Sequence, residues 1–168
     1  MSRVLGIDPG SRVTGYGLVE EKGGSPVLVA SGTIRLDGGL PMAERLATLY
    51  RELTGIVAES RPAAVAVERV FVARNADSAL KLGHARGVVL LAVQQAGLPL
   101  FEYTPAEVKK VVTGRGRAEK FQVVALVRAI LGLDRDPAED EADALAIAMC
   151  HMMMAGERAL YDQAEGRG

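Results

Sequence analysis

Apolar runs separated by turn residues predict three strands in the first 35 positions of the chain. The runs are Val4–Ile7, Thr14–Glu20 and Val27–Thr33. The second and third are joined by the sequence EKGGSP, which is typical of a tight turn. Three consecutive strands with short connections predict an antiparallel meander.

The apolar spacing then changes from the period of a strand to the period of a helix. Pro41–Ser60 predicts a helix with Pro41 in its first turn. The short apolar run Ala63–Val67 predicts a buried strand. A second helix should begin at a cap on Asn75 or Asp77 and end near Ala96.

The last third of the chain predicts one more strand and three helices. The strand is Leu98–Tyr103, and Thr104 caps the helix that follows it. Ala118–Leu131 predicts a further helix, and the last helix should run from Pro137 to about Ala155, with Asp136 as its cap.

This order of elements predicts an α/β fold with a five-stranded mixed β-sheet flanked by α-helices. The 168 residues suggest one domain, which we assign to 1–156, followed by a short polar C-terminal tail, 157–168.

The composition favours a folded protein of the cytoplasm. Nearly half of the residues are apolar, which excludes a disordered chain, and no apolar run reaches membrane-spanning length. The N-terminus lacks the pattern of a signal peptide, and the lone Cys150 cannot form an internal disulfide.

The charge is distributed unevenly, although its net value is only −1. Lys109–Lys120 is rich in basic residues, whereas Asp134–Asp143 is rich in acidic ones. This pattern fits an element that binds an anion and another that binds a cation. Two solvated surfaces would give the same pattern.

Four carboxylates occupy positions where acidic residues need an explanation. Asp8 and Glu68 end predicted strands, where Asp and Glu are depleted. Asp140 and Asp143 share one face of the last helix. Ordinary turn chemistry could explain Asp8, and the helix dipole could explain acids in the first helical turn.

If the first and fourth strands are neighbours, Asp8 and Glu68 project from adjacent strand ends. A last helix that starts beside those ends would add Asp140 and Asp143. Their mutual repulsion would then require divalent cations, and Mg²⁺ or Mn²⁺ prefers such oxygen ligands. Two ions about 3.5–4 Å apart would suit the hydrolysis of a phosphodiester. The sequence therefore predicts Asp8, Glu68, Asp140 and Asp143 as metal ligands.

Several segments resemble the RuvC family of Holliday junction endonucleases. They are GIDPGSRVTGYG, VERVFVARNADSALKLGHARG, AEVKKVVTGRGRAEKFQV and DEADALAIAMCH, which extend over most of the chain. The resemblance implies an RNase H-like fold, a homodimer and two Mg²⁺ ions per active site. It also implies paired nicks in four-way DNA junctions during recombination and repair, RuvA and RuvB as partners, and a short T-rich cleavage sequence.

The same resemblance implies roles for individual residues. The catalytic acids are Asp8, Glu68, Asp140 and Asp143, and the basic residues near the scissile phosphate are Lys109 and Lys120. Phe71 matches an aromatic side chain that stacks on unpaired bases. Two positions depart from the family: Arg69 stands where Gln is common, and Arg74 stands where Lys is common.

The residues themselves support part of this assignment. The glycines of TGRGR allow close backbone approach, so that Arg115 and Arg117 could contact phosphate. An exposed Phe71 beside Arg74 would suit base stacking. A Phe71 packed on the sheet and a mobile, solvated TGRGR loop are the alternatives.

Three other functions compete with junction cleavage. The DPGS segment also resembles the phosphate loop of actin-like sugar kinases, but this chain is too short for their two lobes. A RuvC-like nuclease acting on RNA would share the first Asp. A non-catalytic scaffold that binds junctions is the third alternative, although it would gain nothing from four carboxylates that repel one another.

Overall fold

The computed structural model describes residues 2–69 and 75–165, with side chains up to residue 156. The strands are β1 (Arg3–Asp8), β2 (Val13–Lys22), β3 (Ser25–Arg35), β4 (Ala64–Glu68) and β5 (Leu100–Tyr103). The helices are α1 (Met42–Ser60), α2 (Ala76–Gln95), α3 (Pro105–Thr113), α4 (Lys120–Leu131) and α5 (Glu139–Glu165). Within these ranges, no helix combines the length and apolarity needed to cross a membrane.

The five strands form one mixed sheet in the order β3-β2-β1-β4-β5. The meander β1–β2–β3 is antiparallel, whereas β4 pairs in parallel with both β1 and β5. The predicted five-stranded mixed sheet and the predicted contact between the first and fourth strands are both confirmed.

Turn and cap residues explain most of the boundaries. Gly23 and Gly24 both have positive φ in the β2–β3 hairpin, a conformation that glycine adopts without strain. The Asn75 side chain accepts a hydrogen bond from the Ser78 N–H at the start of α2, and Thr104 forms a complete capping box with Glu107. These predicted helix starts are confirmed.

The predicted bounds of the last helix are wrong at both ends. The helix α5 begins at Glu139 rather than Pro137, and it continues to Glu165, through most of the segment predicted as a tail. The Asp136 side chain pairs with Arg128 instead of capping the helix. The Ala138 N–H donates to Glu141 Oε2, so the capping contact lies two residues later than the sequence pattern suggested.

Two apolar layers cover the two faces of the sheet. The helices α1 and α2 pack on one face over Leu5, Ile7 and Val65. On the other face, α3, α4 and α5 enclose a second core that includes Leu145 and Met149. Successive residues of β1 enter opposite layers, as the alternation of side chains along a strand requires.

Glycines let α5 lie unusually close to the sheet. A Cβ atom at Gly6 would lie 2.0 Å from the Ala144 carbonyl oxygen, and one at Gly15 would lie 1.8 Å from the Asp140 carbonyl oxygen. Both distances are far below van der Waals contact. The first turn of α5 is therefore held beside the end of β1.

Candidate active site

Two of the four predicted carboxylates lie side by side at the end of the sheet. Ile7 of β1 is the partner of Val67 in β4, and the next residues along the two parallel strands are Asp8 and Glu68. Both side chains are half-buried. Parallel strands aim residues at equivalent positions in the same direction, so the sheet itself brings these acids together.

The first turns of α5 bring the other two carboxylates to the same edge. Asp140 and Asp143 are three residues apart and share a face of the helix. The Asp140 backbone lies directly over Gly15, which is the antiparallel partner of Asp8. The structure thus gathers all four acids at one end of the sheet.

The proximity of these acids disfavours their ionised forms. Burial and the negative charges of Glu68, Asp143 and Asp140 together raise the pKa of Asp8 to about 8. Burial and the charge of Asp143 also raise the pKa of Glu68. The pKa of Asp143 is raised as well, first by burial and then by neighbouring acids. Ionised carboxylates are therefore unfavourable here unless a cation compensates for them.

Two lysines supply positive charge at the edge of this cluster. Lys120, the first residue of α4, contacts Glu139 and lies 3.1 Å from Asp143 Oδ2. Burial disfavours the charge of Lys120, but its bonds to Glu139 and Asp143 outweigh that effect and raise its pKa. The charge of Lys109, from α3, acts on Glu68 and stabilises its ionised form.

The donor set fits a hard divalent cation in its chemistry and charge. It consists of carboxylate oxygens, and Asp8 experiences three negative neighbours against one lysine. Among the residues that the structure describes, no three acidic, histidine or cysteine side chains converge closely enough to hold one ion as they stand. Asp143 is instead paired with Lys120, whose Nζ lies 3.1 Å from its Oδ2.

The predicted DNA-contacting residues are only partly described. Arg115 and Arg117 are exposed in the loop between α3 and α4, where Gly114 adopts a positive φ. The Thr113 hydroxyl accepts a hydrogen bond from the Arg115 N–H and fixes the start of this loop. Phe71 and Arg74 lie outside the described residues, so their predicted roles stay predictions.

The charge of Arg69 affects the pKa of Glu107 rather than that of Glu68, its neighbour in sequence. Hydrogen bonds from the Thr104 backbone and side chain lower the pKa of Glu107, and the charge of Arg69 adds to them. The cations that act on Glu68 are Lys120 and Lys109. Arg69 is exposed, and its N–H donates to the Tyr103 carbonyl.

Two acids of this region, Glu139 and Glu141, were not predicted from the sequence as residues of the site. Glu139 contacts Lys120, and Glu141 is buried under Ser31 and Arg135. Burial opposes the ionisation of Glu141, but bonds from Arg135, Ser31 and Ala138 lower its pKa. The spacing from Ala138 to Glu141 is that of a capping box, which is the one signal in the sequence that could have identified Glu141.

Comparison with known proteins agrees with this geometry. The family model for the crossover junction endodeoxyribonuclease RuvC matches residues 4–151. The RuvC protein of Alkalilimnicola ehrlichii is 56% identical over 159 residues, which cover 95% of this chain and 96% of that protein. The RuvC protein of Halorhodospira halophila is 58% identical over 152 residues, or 90% of each chain.

A solved structure of a related protein has the same fold. The structure of T. thermophilus RuvC in complex with a Holliday junction substrate superposes with a TM-score of 0.87. It is 38% identical and covers 92% of this chain and 95% of that one. The predicted RNase H-like fold is confirmed.

Proposed function

The chain belongs to the RuvC family of crossover junction endodeoxyribonucleases, and we propose that it resolves Holliday junctions by paired, symmetric nicks in two like strands. The observation that carries this proposal is the cluster of Asp8, Glu68, Asp140 and Asp143 beside Lys120. A metal-dependent site for phosphodiester hydrolysis uses such carboxylates, together with a cation that can approach the phosphate.

In this proposal, the four carboxylates hold divalent cations, with Mg²⁺ as the natural ion and Mn²⁺ as a substitute. When bound there, the ions supply positive charge that activates water and stabilises the departing 3′ oxygen. The sheet and α5 fix the carboxylates before substrate arrives. The raised pKa of Asp8 supports this assignment, because cation binding would relieve the repulsion that causes part of the shift.

The lysines orient the scissile phosphate. Lys120 is held at the acids by Asp143 and Glu139, and an incoming phosphate can replace one of these anions as its partner. Lys109 lies on the Glu68 side of the cluster. Arg115 and Arg117 extend the basic surface along the adjacent loop and bind the DNA backbone.

We propose that two copies of the chain act together, because one active site cannot make paired nicks on two strands. The exposed side of α2 suits a two-fold contact. Leu80 and Leu91 are 60% and 51% exposed, and His84 and Gly87 are exposed between them at helical spacing. A two-fold protein also matches the symmetry of a four-way junction.

The cellular setting follows from the proposed reaction. The substrate arises during homologous recombination and DNA repair, so we place the protein in the cytoplasm, where bacterial DNA lies. RuvA and RuvB are the proposed partners that deliver the junction. The family membership supports both proposals.

The decisive experiment uses a labelled synthetic four-way junction with a T-rich centre. Wild-type protein should make paired nicks with Mg²⁺ and none with EDTA, and linear duplex should remain intact. Asp8→Asn should bind the junction but leave it uncut, because it removes one carboxylate without changing the shape of the side chain. Glu52→Gln, an exposed position on α1, is the matched control and should cleave normally.

Other outcomes would identify a competing function. Junction binding without nicks in either Mg²⁺ or Mn²⁺ would indicate a scaffold. Preference for an RNA substrate over the junction would indicate an RNA nuclease. Equal cleavage by Asp8→Asn would exclude the proposed site.

A further inference from the structure

One acidic residue beside the proposed metal ligands has no role in the reaction described above. Glu141 follows Asp140 directly but faces away from the carboxylate cluster. Its side chain is only 3% exposed, although it carries charge and lies in the first turn of a helix. A buried carboxylate is costly unless it is fully hydrogen-bonded, so its surroundings need an explanation.

Glu141 joins three separate parts of the chain. Its Oε1 accepts from the Ser31 hydroxyl at 2.7 Å, which links the start of α5 to β3. Arg135 donates to both carboxylate oxygens, at 2.7 and 3.0 Å, from the loop before the helix. The Ala138 N–H donates to Oε2 at 3.0 Å. The carboxylate thus accepts four hydrogen bonds around the first turn of α5.

These contacts complement the close packing at Gly15. The absence of a side chain at Gly15 sets how near α5 lies to the sheet, but it does not set how the helix is rolled about its axis. Glu141 points toward β3, to one side of the face that carries Asp140 and Asp143. Its bond to Ser31 therefore opposes a roll of the helix.

The roll of α5 matters because it aims the two aspartates. A helix with its side chains has a radius of about 5–6 Å, so a roll of about 10° moves a side-chain oxygen by about 1 Å. Metal ligands need placement within about 0.5 Å. A contact that fixes the roll consequently determines how well the carboxylates on this helix can bind an ion.

We propose that Glu141 is a positioning residue that, through Ser31 and Arg135, fixes the orientation of Asp140 and Asp143 for binding of divalent metal. This inference rests on the proposed metal-dependent nuclease function. In this role, Glu141 contacts neither the substrate nor the metal. Loss of a group that orients metal ligands typically weakens metal affinity or activity by about 10- to 100-fold.

The test measures metal binding separately from cleavage. Glu141→Ala, Glu141→Gln and Ser31→Ala are compared with Asp136→Asn, which removes an exposed Arg128–Asp136 pair at 3.0 Å in the same region. For each protein, Mn²⁺ binding without DNA is measured by electron paramagnetic resonance. The rate of junction cleavage is measured against Mg²⁺ concentration, junction affinity in EDTA, and the melting temperature by circular dichroism.

Glu141→Ala should weaken Mn²⁺ binding and raise the half-saturating Mg²⁺ concentration by about 10-fold or more. Ser31→Ala and Glu141→Gln should shift both in the same direction by less, since each leaves part of the network in place. Junction affinity in EDTA should stay within about twofold, because the basic residues are untouched. Asp136→Asn should match wild type in metal binding and cleavage.

One result would overturn the proposal: unchanged Mn²⁺ binding and an unchanged Mg²⁺ midpoint in a folded Glu141→Ala protein. A lower melting temperature together with those unchanged values would make Glu141 a purely structural residue. If Glu141→Ala does not fold, the milder variants decide by the same criteria. Failure of wild-type protein to cut junctions would instead refute the proposed function, and the Mn²⁺ measurement would still test Glu141.

Discussion

At the scale of single residues, the ionisation of Asp8 lowers the stability of the folded protein. Its pKa is raised from 3.8 to about 8 by burial and neighbouring acids. The folded state therefore binds this proton more tightly than the unfolded state does. The resulting contribution to stability is complete below pH 3.8 and is lost as the pH rises through about 8.

We expect Asp8→Asn to stabilise the protein in EDTA at high pH. Asn resembles a protonated Asp, so the melting temperatures of the two proteins should agree near pH 4 and diverge toward pH 9. One unit of pKa corresponds to about 1.4 kcal/mol, so the difference in free energy of unfolding should reach several kcal/mol. Thermal unfolding followed by circular dichroism from pH 4 to 9 measures this.

The exposed Glu52→Gln variant is the control and should track wild type across the pH range. Adding Mg²⁺ at pH 8 should stabilise wild type more than Asp8→Asn, because only the former retains all four carboxylates. A difference in melting temperature between wild type and Asp8→Asn that stays constant from pH 4 to 9 would contradict the raised pKa of Asp8.

The sequence revealed some of these residues more readily than others. Asp8 and Glu68 were predictable because both end apolar strands, where acids are depleted, although turn chemistry could account for Asp8 alone. Glu139 and Glu141 were not, since acids in a first helical turn are explained by the helix dipole alone. Only the structure shows that Glu139 contacts Lys120, whereas Glu141 is buried and accepts a hydrogen bond from Ser31.

At the scale of elements, the placement of α5 depends on residues in the sheet. Gly15→Ala should push this helix away, because its Cβ would lie 1.8 Å from the Asp140 carbonyl oxygen. We expect a loss of stability of about 1–3 kcal/mol, as is typical of overpacking. Cleavage should fall by more than the fraction of unfolded protein explains, since Asp140 moves with the backbone.

Gly55→Ala on α1 is the matched control. This glycine is helical and exposed, and an added Cβ would contact nothing within 4 Å. The substitution should stabilise the protein by about 0.5–1 kcal/mol and leave cleavage unchanged. Urea unfolding and junction cleavage are measured for both variants. Equal effects of the two substitutions would show that close packing at Gly15 is unimportant.

Element boundaries were predictable where a side chain caps its own helix, as at Asn75 and Thr104. They were wrong where a more distant contact competes. Asp136 has the cap position of the sequence pattern, but its carboxylate pairs with Arg128 across the turn between α4 and α5. Local patterns do not contain that contact, nor do they show that α5 continues to Glu165.

At the scale of the whole molecule, pairing of two chains through α2 can be tested by charge. Leu80→Glu combined with Leu91→Glu should turn the proposed dimer into a monomer, because like charges would meet across the two-fold axis. Light scattering should give twice the 17.8 kDa chain mass for wild type and a single chain mass for the variant. Leu40→Glu, an exposed leucine outside α2, should stay dimeric. A wild-type monomer, with and without junction DNA, would refute the dimer.

The balance of charge over the molecule decides how it finds DNA. The chain is slightly acidic overall, so binding must depend on the local surface formed by Lys109, Lys120 and the loop arginines. Each phosphate that these residues neutralise releases counterions, which makes affinity fall steeply with salt.

Arg115→Ala and Arg117→Ala should each reduce the slope of log affinity against log salt by about 1. Arg51→Ala, on the opposite face of the sheet, should leave it unchanged. Junction affinity measured by fluorescence anisotropy between about 50 and 200 mM salt gives these slopes. A wild-type slope near zero would mean that the basic loop does not hold the DNA backbone, and that the acidic average of the chain governs the encounter after all.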